Sequence, residues 1–301
     1  MRIIILGPTA SGKTELSLQL AEALGTSIIS ADSRQCYKHM DIGTAKPTAE
    51  ELARAQHFNI SNLELDEDDS AVKFHGRAAE WESEVLNDSE HVIYIGGSTL
   101  HLTGLIQPFN DIPDSSDENV AQLNARIEKE GVESLFEELK EVDPDYIPRL
   151  DGMNRQRIIR ALDVWMQTGK PFSSFHQLAE IKPDEQTLVF GLEWDRQKLY
   201  DRINKRVDIM VEQGLIKEVQ SILDAGYSKD LQALQTVGYR EVISFFEGEY
   251  DLETMIEKIK TNTRRYAKRQ LTWFRRWDFV HWLDAEKLGA EGMKEEIRKI
   301  I

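Results

Sequence analysis

Two hydrophobic rhythms alternate along this chain. Residues 2–6 (RIIIL) are a short, β-branched apolar run, which by length and composition predicts a buried strand. Over residues 14–24 the rhythm changes: Leu16, Leu18, Leu20 and Leu24 mark a helix, and Gly25 closes it, as a glycine past the last turn does. Residues 27–30 (SIIS) predict a second strand. Strand, loop, helix, strand is the opening of a parallel α/β sheet. A helix over 71–86 leads to a third strand, 91–95 (HVIYI), which runs into Gly96-Gly97; 187–194 (TLVFGLEW) and 280–283 (VHWL) complete the set. Between the third and fourth strands about ninety residues carry no strand signal. Pro108 and Pro113, in an acidic turn, mark an exit from the sheet, and 119–141 and 155–168 have helical spacing, the latter stopped by Gly169-Lys170-Pro171. The expected organisation is an α/β core of 1–113 and 185–301, interrupted by a helical insertion at 114–184. Helices at 196–212, 215–225, 236–247 and 252–277 rejoin the core. No internal repeat or low-complexity segment interrupts this pattern.

Composition narrows the class. The chain has 301 residues, 41% of them hydrophobic, enough for a sizeable core in one large domain or two. Cys36 is the single cysteine, which excludes an internal disulfide framework and a cysteine-rich zinc module and fits a reducing cytosol. No apolar run approaches the ~20 residues that span a bilayer, and 2–6 is too short for a secretory leader; a soluble cytoplasmic protein is expected. His57, His75 and His91 have no metal-like spacing. The net charge of −16 argues against a nucleic-acid partner, but its distribution does not. Acids crowd 64–69 and 128–141, whereas 258–276 carries Lys258, Lys260, Arg264, Arg265, Lys268, Arg269, Arg275 and Arg276 with no acid among them. Such a face can meet a polyanion.

The first strand delivers the clearest chemistry. Gly7-Pro8-Thr9-Ala10-Ser11-Gly12-Lys13-Thr14 fits G-x-x-x-x-G-K-[ST]. Glycines let the backbone curl so that its N–H groups converge on phosphate oxygens at a positive helix end. Lys13 adds a mobile charge, and the Thr14 hydroxyl suits Mg²⁺. A plain glycine turn is the alternative, and the placement between an apolar strand and a helix argues against it. Nucleotide hydrolases of this type usually end a strand in an acid that holds Mg²⁺; here the third strand ends in Gly96-Gly97-Ser98-Thr99, which argues against an ATPase or switch. Asp32 follows the second strand, where ligands sit in open α/β sheets. It could serve as a general base, a metal ligand through water, an acceptor for a substrate N–H, or an N-cap.

Four stretches together, GPTASGKT at 7–14, ISADSRQCYKHMDIGTAKP at 29–47, NRQRIIRALDV at 154–164 and TRRYAKRQLTWFRRW at 263–277, resemble the tRNA dimethylallyltransferases, also called tRNA isopentenylpyrophosphate transferases. The resemblance runs through nearly the whole chain in the right order. It implies a P-loop kinase-like α/β core with a helical insertion that grips the tRNA anticodon stem-loop. It also implies transfer of a dimethylallyl group from dimethylallyl diphosphate to N6 of the adenine 3′ of the anticodon (position 37), in tRNAs reading U-initial codons, with Mg²⁺ as cofactor.

On that resemblance, Lys13, the loop amides and Mg²⁺ on Thr14 neutralise the departing diphosphate, and Arg202 and Arg206 close over it. Salt bridges from these arginines to Asp201 and Asp208 are the alternative. Asp32 matches the aspartate that takes the amine proton, and Asp32, Ser33, Arg34 and Gln35 match a tetrad that reads the extruded base. Ser98 falls where the family has threonine in GGTxLY and keeps the hydroxyl; His101 replaces the tyrosine. Gln156, Arg157, Ile158, Ile159 and Arg160 match a second tRNA-contacting segment, and Arg264 and Lys268 belong to the basic tRNA face, with Arg275 on the same side. Trp273 and Trp277 read as core. Val120 stands where relatives often carry an arginine, with Arg126 close by. The single cysteine points to the shorter bacterial type, without a zinc finger, and a monomer that does not bind membranes is expected. A small-molecule kinase would share the loop but not the basic helix, and an adenylate isopentenyltransferase would share the donor and base but not need that face.

Overall fold

The computed structural model describes residues 1–107, 109, 112–150, 152–175 and 181–301. Pro108, read above as an exit marker, and residues 151 and 176–180 of the expected insertion lie outside the described residues. The chain divides into two compact units, Met1–Gln107 with Ile181–Ile301, and Pro108–Glu180.

In the first unit, β1 (Arg2–Leu6), β2 (Ile28–Ser30), β3 (His57–Phe58), β4 (Val92–Gly96), β5 (Thr187–Glu193) and β6 (His281–Asp284) form one sheet in the order β3-β2-β4-β1-β5-β6. Every pairing is parallel, with Ile3 opposite both Ile93 and Leu188. A parallel sheet is covered on both faces, which is why its central strand reads as a continuous apolar run. Alternate residues serve opposite faces: Ile4, Leu6 and Tyr94 pack with Phe74 and Phe274, while Ile3, Ile5 and Phe190 pack with Leu16, Leu20, Met293 and Ile297.

The helices of this unit are α1 (Lys13–Leu24), α2 (Ala49–Arg54), α3 (Ala71–Asp88), α4 (Thr99–Ile106), α8 (Arg196–Gln213), α9 (Leu215–Asp224), α10 (Tyr239–Phe246), α11 (Leu252–Phe274) and α12 (Ala285–Ile300). Most begin at a side-chain cap: Thr48 forms a capping box, and Ser70, Asp195, Asp251 and Asp284 each accept a first-turn N–H. Helix α1 has no such cap. Its N-terminus follows Gly12 at φ +94°, so the first-turn amides remain available to an anion.

The second unit contains α5 (Asp117–Glu130), α6 (Val132–Val142) and α7 (Arg155–Thr168) around its own core of Leu123, Leu135, Leu139, Ile158 and Leu162. The helical segment expected at 119–141 is two helices, because Gly131 at φ +82° and ψ 162° breaks the run. Sequence periodicity did not anticipate β3, α2, α4 or α12. Two residues of β3 and six of α2 are too few to show a period. Among the described residues, no helix is long and apolar enough to cross a membrane.

Candidate active site

The carboxyl ends of β1, β2 and β4 open into a cleft of about 1360 Å³. Its floor is the phosphate loop. Gly12 and Ala10 both have positive φ, +94° and +63°, and this curls the backbone of the loop. A Cβ on Gly7 would stand 3.0 Å from Ser11 Oγ and 3.2 Å from Leu192 Cβ. The Lys13 ammonium folds back over the loop, donating to Gly7 O at 3.0 Å and Pro8 O at 2.7 Å. Desolvation, reinforced by Arg206, pushes Lys13 down to about 7, and Asp32 acts the other way.

Arg202 and Arg206 both line the cleft. The alternative pairings do not form: Asp208 binds Lys260 at 2.8 Å, and Asp201 accepts from Gln197 at 3.0 Å. Arg202 Nε donates to Ala10 O at 2.8 Å, and its guanidinium lies 4.2 Å from the Trp194 ring centroid. Trp194 in turn donates from Nε1 to Ser11 O at 2.9 Å. Arg202 and Trp194 thus brace the loop by its carbonyls, which keeps its N–H groups turned inward. Arg206 has no carboxylate within ion-pair distance among the described residues, and burial works against its charge. Lys13, Arg202 and Arg206 gather positive charge around the loop, and Asp32 is the acid that favours the charge on both Lys13 and Arg206.

Asp32 faces the same cleft. Its Oδ1 accepts from Arg34 N at 2.8 Å and Gln35 N at 3.2 Å, a side-chain turn that fixes the carboxylate. No partner among the described residues binds Oδ2, so a turn role and a chemical role coexist. Gln35 differs from its expectation. Its amide accepts from Ser30 Oγ at 3.0 Å and donates to Thr44 O and Ala45 O, each at 3.2 Å. Bound on both ends, it shapes the wall and has little capacity left to read a base. Loop 41–44 opposite is held from below: Glu218 accepts from the N–H groups of Asp41 (2.9 Å), Ile42 (2.7 Å) and Gly43 (3.1 Å), and from Tyr239 OH. A side chain at Gly43 would put Cβ 2.4 Å from the Tyr239 ring.

At the tip of β4, a Cβ on Gly96 would meet Ala31 O at 2.4 Å, so the glycine lets β2 and β4 close up. Ser98 is not among the residues lining the cleft; its hydroxyl is 3.0 Å from His101 Nδ1. That imidazole is buried on Phe74, with centroids 4.6 Å apart, and burial pushes it down to about 4, so it is neutral near pH 7.

The basic helix α11 also differs from its expectation. Arg264 donates to Asn204 Oδ1 at 2.5 Å and Thr261 Oγ1 at 2.9 Å, tying α11 to α8, and Arg275 pairs with Glu193 at 2.7 Å. Lys268 is exposed and lies outside the cleft lining. Thr263, Tyr266, Arg269 and Gln270 face the cleft instead; of these only Arg269 was named from the sequence, as one charge of the basic face. Trp277 is core, 5% exposed, and Trp273 packs beside it.

In the second unit, Gln156, Arg155, Arg160, Asn124, Ser115, Val120 and Ile159 line a recess of about 390 Å³. Arg160 binds Asp163, Ser115 Oγ and Pro113 O, whereas Arg157 is exposed. Ile158 offers no side chain to a large partner, being 0% exposed in the unit's core, and Ile159, 8% exposed, belongs to that core and reaches only the lining of the recess. Val120 packs against that core, and Arg126 pairs with Glu138 at 2.6 Å.

A parallel sheet with a phosphate loop at its carboxyl edge, facing Asp32, Arg202 and Arg206, defines a P-loop enzyme core. The sequence model of the family described as IPP transferase matches residues 35–277. A tRNA dimethylallyltransferase of Salinibacter ruber is 44% identical over 300 residues, 99% of this chain and 92% of its own length. The tRNA Δ(2)-isopentenylpyrophosphate transferase of Staphylococcus epidermidis is similar in structure, with TM-score 0.73 and 36% identity over 99% of this chain and 98% of its own. A eukaryotic dimethylallyltransferase captured acting on tRNA gives TM-score 0.82 at 25% identity, over 99% of this chain and 77% of its own. The chain belongs to the IPP transferase family.

Proposed function

We propose that the protein transfers a dimethylallyl group from dimethylallyl diphosphate to N6 of the adenine 3′ of the anticodon in tRNAs reading U-initial codons, releasing diphosphate. The observation that carries this reading is the opposition of two groups across one cleft. Lys13 and Arg206 bring positive charge to the phosphate loop, and Asp32 has a carboxylate oxygen, Oδ2, that no partner binds among the described residues. The first pair suits a diphosphate leaving group, and the second suits proton removal from an incoming amine.

The N6 lone pair attacks C1 of the dimethylallyl group while the C1–O bond breaks. Diphosphate leaves with the electron pair, and the N6 proton passes to Asp32. Lys13, Arg202, Arg206 and the α1 amides hold the leaving group; charge that develops there is met by donors already in place. Extruding the base costs a few kcal/mol, and Ser33 and Arg34 at the cleft wall are positioned to contact it. Ser98, oriented by neutral His101, sits one residue beyond the cleft lining at the tip of β4. Gln156, Arg157 and Lys268 supply tRNA contacts.

The residues also fit a magnesium ion. No partner among the described residues holds the Thr14 hydroxyl, and Mg²⁺ is usually bound by few protein oxygens together with substrate phosphates and water. Consistent with that, no group of three or more acidic, histidine or cysteine side chains forms a protein-only cage among the described residues. Thr14 would hold the ion, which when bound adds positive charge beside the diphosphate. The protein acts as a cytoplasmic monomer.

The direct test is incubation with labelled dimethylallyl diphosphate, Mg²⁺, and either unmodified tRNA bearing A-A-A around the target or AMP. Label is expected in tRNA and not in AMP; label in AMP alone would refute the tRNA assignment. The interface also makes a sharper demand than the sequence did. Because the Arg264 guanidinium is bound inside the protein, Arg264→Ala is expected to lower Tm and leave the salt dependence of tRNA affinity unchanged. Lys268→Ala should flatten the log–log slope by about 1 and leave Tm alone. The opposite pattern would return Arg264 to the interface.

A further inference from the structure

Gln270 is a polar side chain buried at 2% exposure where three functional elements meet. It lies on α11, between the cleft-facing Arg269 and the core. Its Oε1 accepts from Thr9 N at 3.2 Å, in the phosphate loop, and its Nε2 donates to Gly97 O at 2.8 Å, at the end of β4. The fit at Gly97 is close: a Cβ there would stand 2.2 Å from Gln270 Nε2 and 3.3 Å from Gly7 O. The strand end, the loop and the amide therefore pack with no room for a side chain.

We infer that Gln270 is a positioning residue that braces the phosphate loop against the tip of β4, so that the cradle is formed before its anion arrives. The chemistry requires an amide. Thr9 offers a donor and Gly97 an acceptor, and only a group carrying one acceptor and one donor at this spacing satisfies both. A carboxylate serves Thr9 and repels Gly97; an alkyl chain serves neither and leaves a buried N–H and C=O unpaired. The bond to Thr9 also takes that N–H out of the converging set. The loop presents its later amides to the ligand and is held by its earlier one. The same residue joins the loop to α11, whose Thr263, Tyr266 and Arg269 form another wall of the cleft.

This inference rests on the reading of the cleft as a diphosphate site, and inorganic diphosphate, with Mg²⁺, is the probe. Gln270→Leu and Gln270→Glu are titrated by calorimetry between pH 6 and 8, beside the wild type, with Tm recorded for each. Gln270→Leu is expected to weaken diphosphate binding about tenfold at every pH, the factor that corresponds to one net hydrogen bond. Gln270→Glu is expected to approach wild-type affinity as pH falls, because a protonated carboxyl restores the donor to Gly97 while its carbonyl still accepts from Thr9. Wild-type affinity in Gln270→Leu, whether or not its Tm falls, would overturn the assignment, as would identical pH-independent losses in both variants. Wild-type protein that binds diphosphate but prenylates no tRNA would instead count against the proposed transfer reaction and leave the brace standing. No diphosphate binding by the wild type would overturn the brace together with the diphosphate reading of the cleft, whether or not prenyl transfer is seen.

Discussion

Asp32→Asn lowers turnover by about 10²–10⁴-fold, the range a positioned general base contributes, and leaves tRNA affinity within a factor of about three. The substitution is chosen for what it preserves. Asparagine Oδ1 can still accept from the N–H groups of Arg34 and Gln35 that now bind Asp32 Oδ1, so the turn after β2 survives. What is lost is the second oxygen, which no partner binds among the described residues. An exocyclic amine must shed a proton as it is alkylated, and an amide cannot take it. Single-turnover prenylation with saturating tRNA, together with filter binding of the same tRNA, separates the two effects. Turnover within tenfold of wild type would remove Asp32 from proton transfer.

Lys13→Ala comes next in size. It is expected to lower turnover about 10²–10³-fold, the cost of removing one donor aimed at developing negative charge. It should also abolish most of the stabilisation by inorganic diphosphate, which for the wild type is about 2.7 kcal/mol at a hundredfold excess over Kd. The lysine carries a pH signature too. In the free protein, desolvation and Arg206 hold it at about 7; a bound diphosphate raises it. Near pH 8 the free ammonium is therefore mostly deprotonated and the bound one is charged. Binding takes up close to one proton, and affinity falls by up to about tenfold per pH unit above 7. Calorimetry in buffers of different ionisation enthalpy reads the uptake. Equal uptake in wild type and Lys13→Ala would assign the proton to another group.

The two predictions differ in how far the sequence alone supported them. Lys13 was legible outright, because the phosphate loop is eight consecutive residues between an apolar strand and a helix, and its geometry is set locally by Gly12 and its neighbours. Asp32 was legible as a position, at the end of a strand, but not as a role. Turn former and base were both open, and the side chain proves to hold a turn with one oxygen while the other is free. The central strands and long helices were legible for a related reason: β1 is an unbroken apolar run, and α7 repeats its pattern over enough residues to show a period. The two-residue β3 could not, since its pairing with β2 is decided by the sheet beside it.

The sequence by itself determined which backbone would cradle phosphate, which strands would be buried, and that cations would crowd 258–276. These are properties of neighbouring residues. Only the tertiary structure decided which polar groups remain free for a ligand. Arg264 looked available until Asn204, 60 residues away, bound it. Gln35 looked like a base reader until Thr44 and Ala45 occupied its amide. Ile158 lay inside a matching segment yet is fully buried in a core. Glu218 fixes a cleft wall 177 residues from Asp41, and Gln270 reaches Thr9 across 261. A hydrogen-bonding group has a fixed capacity, and what consumes it is proximity in space, which residue spacing along the chain does not encode.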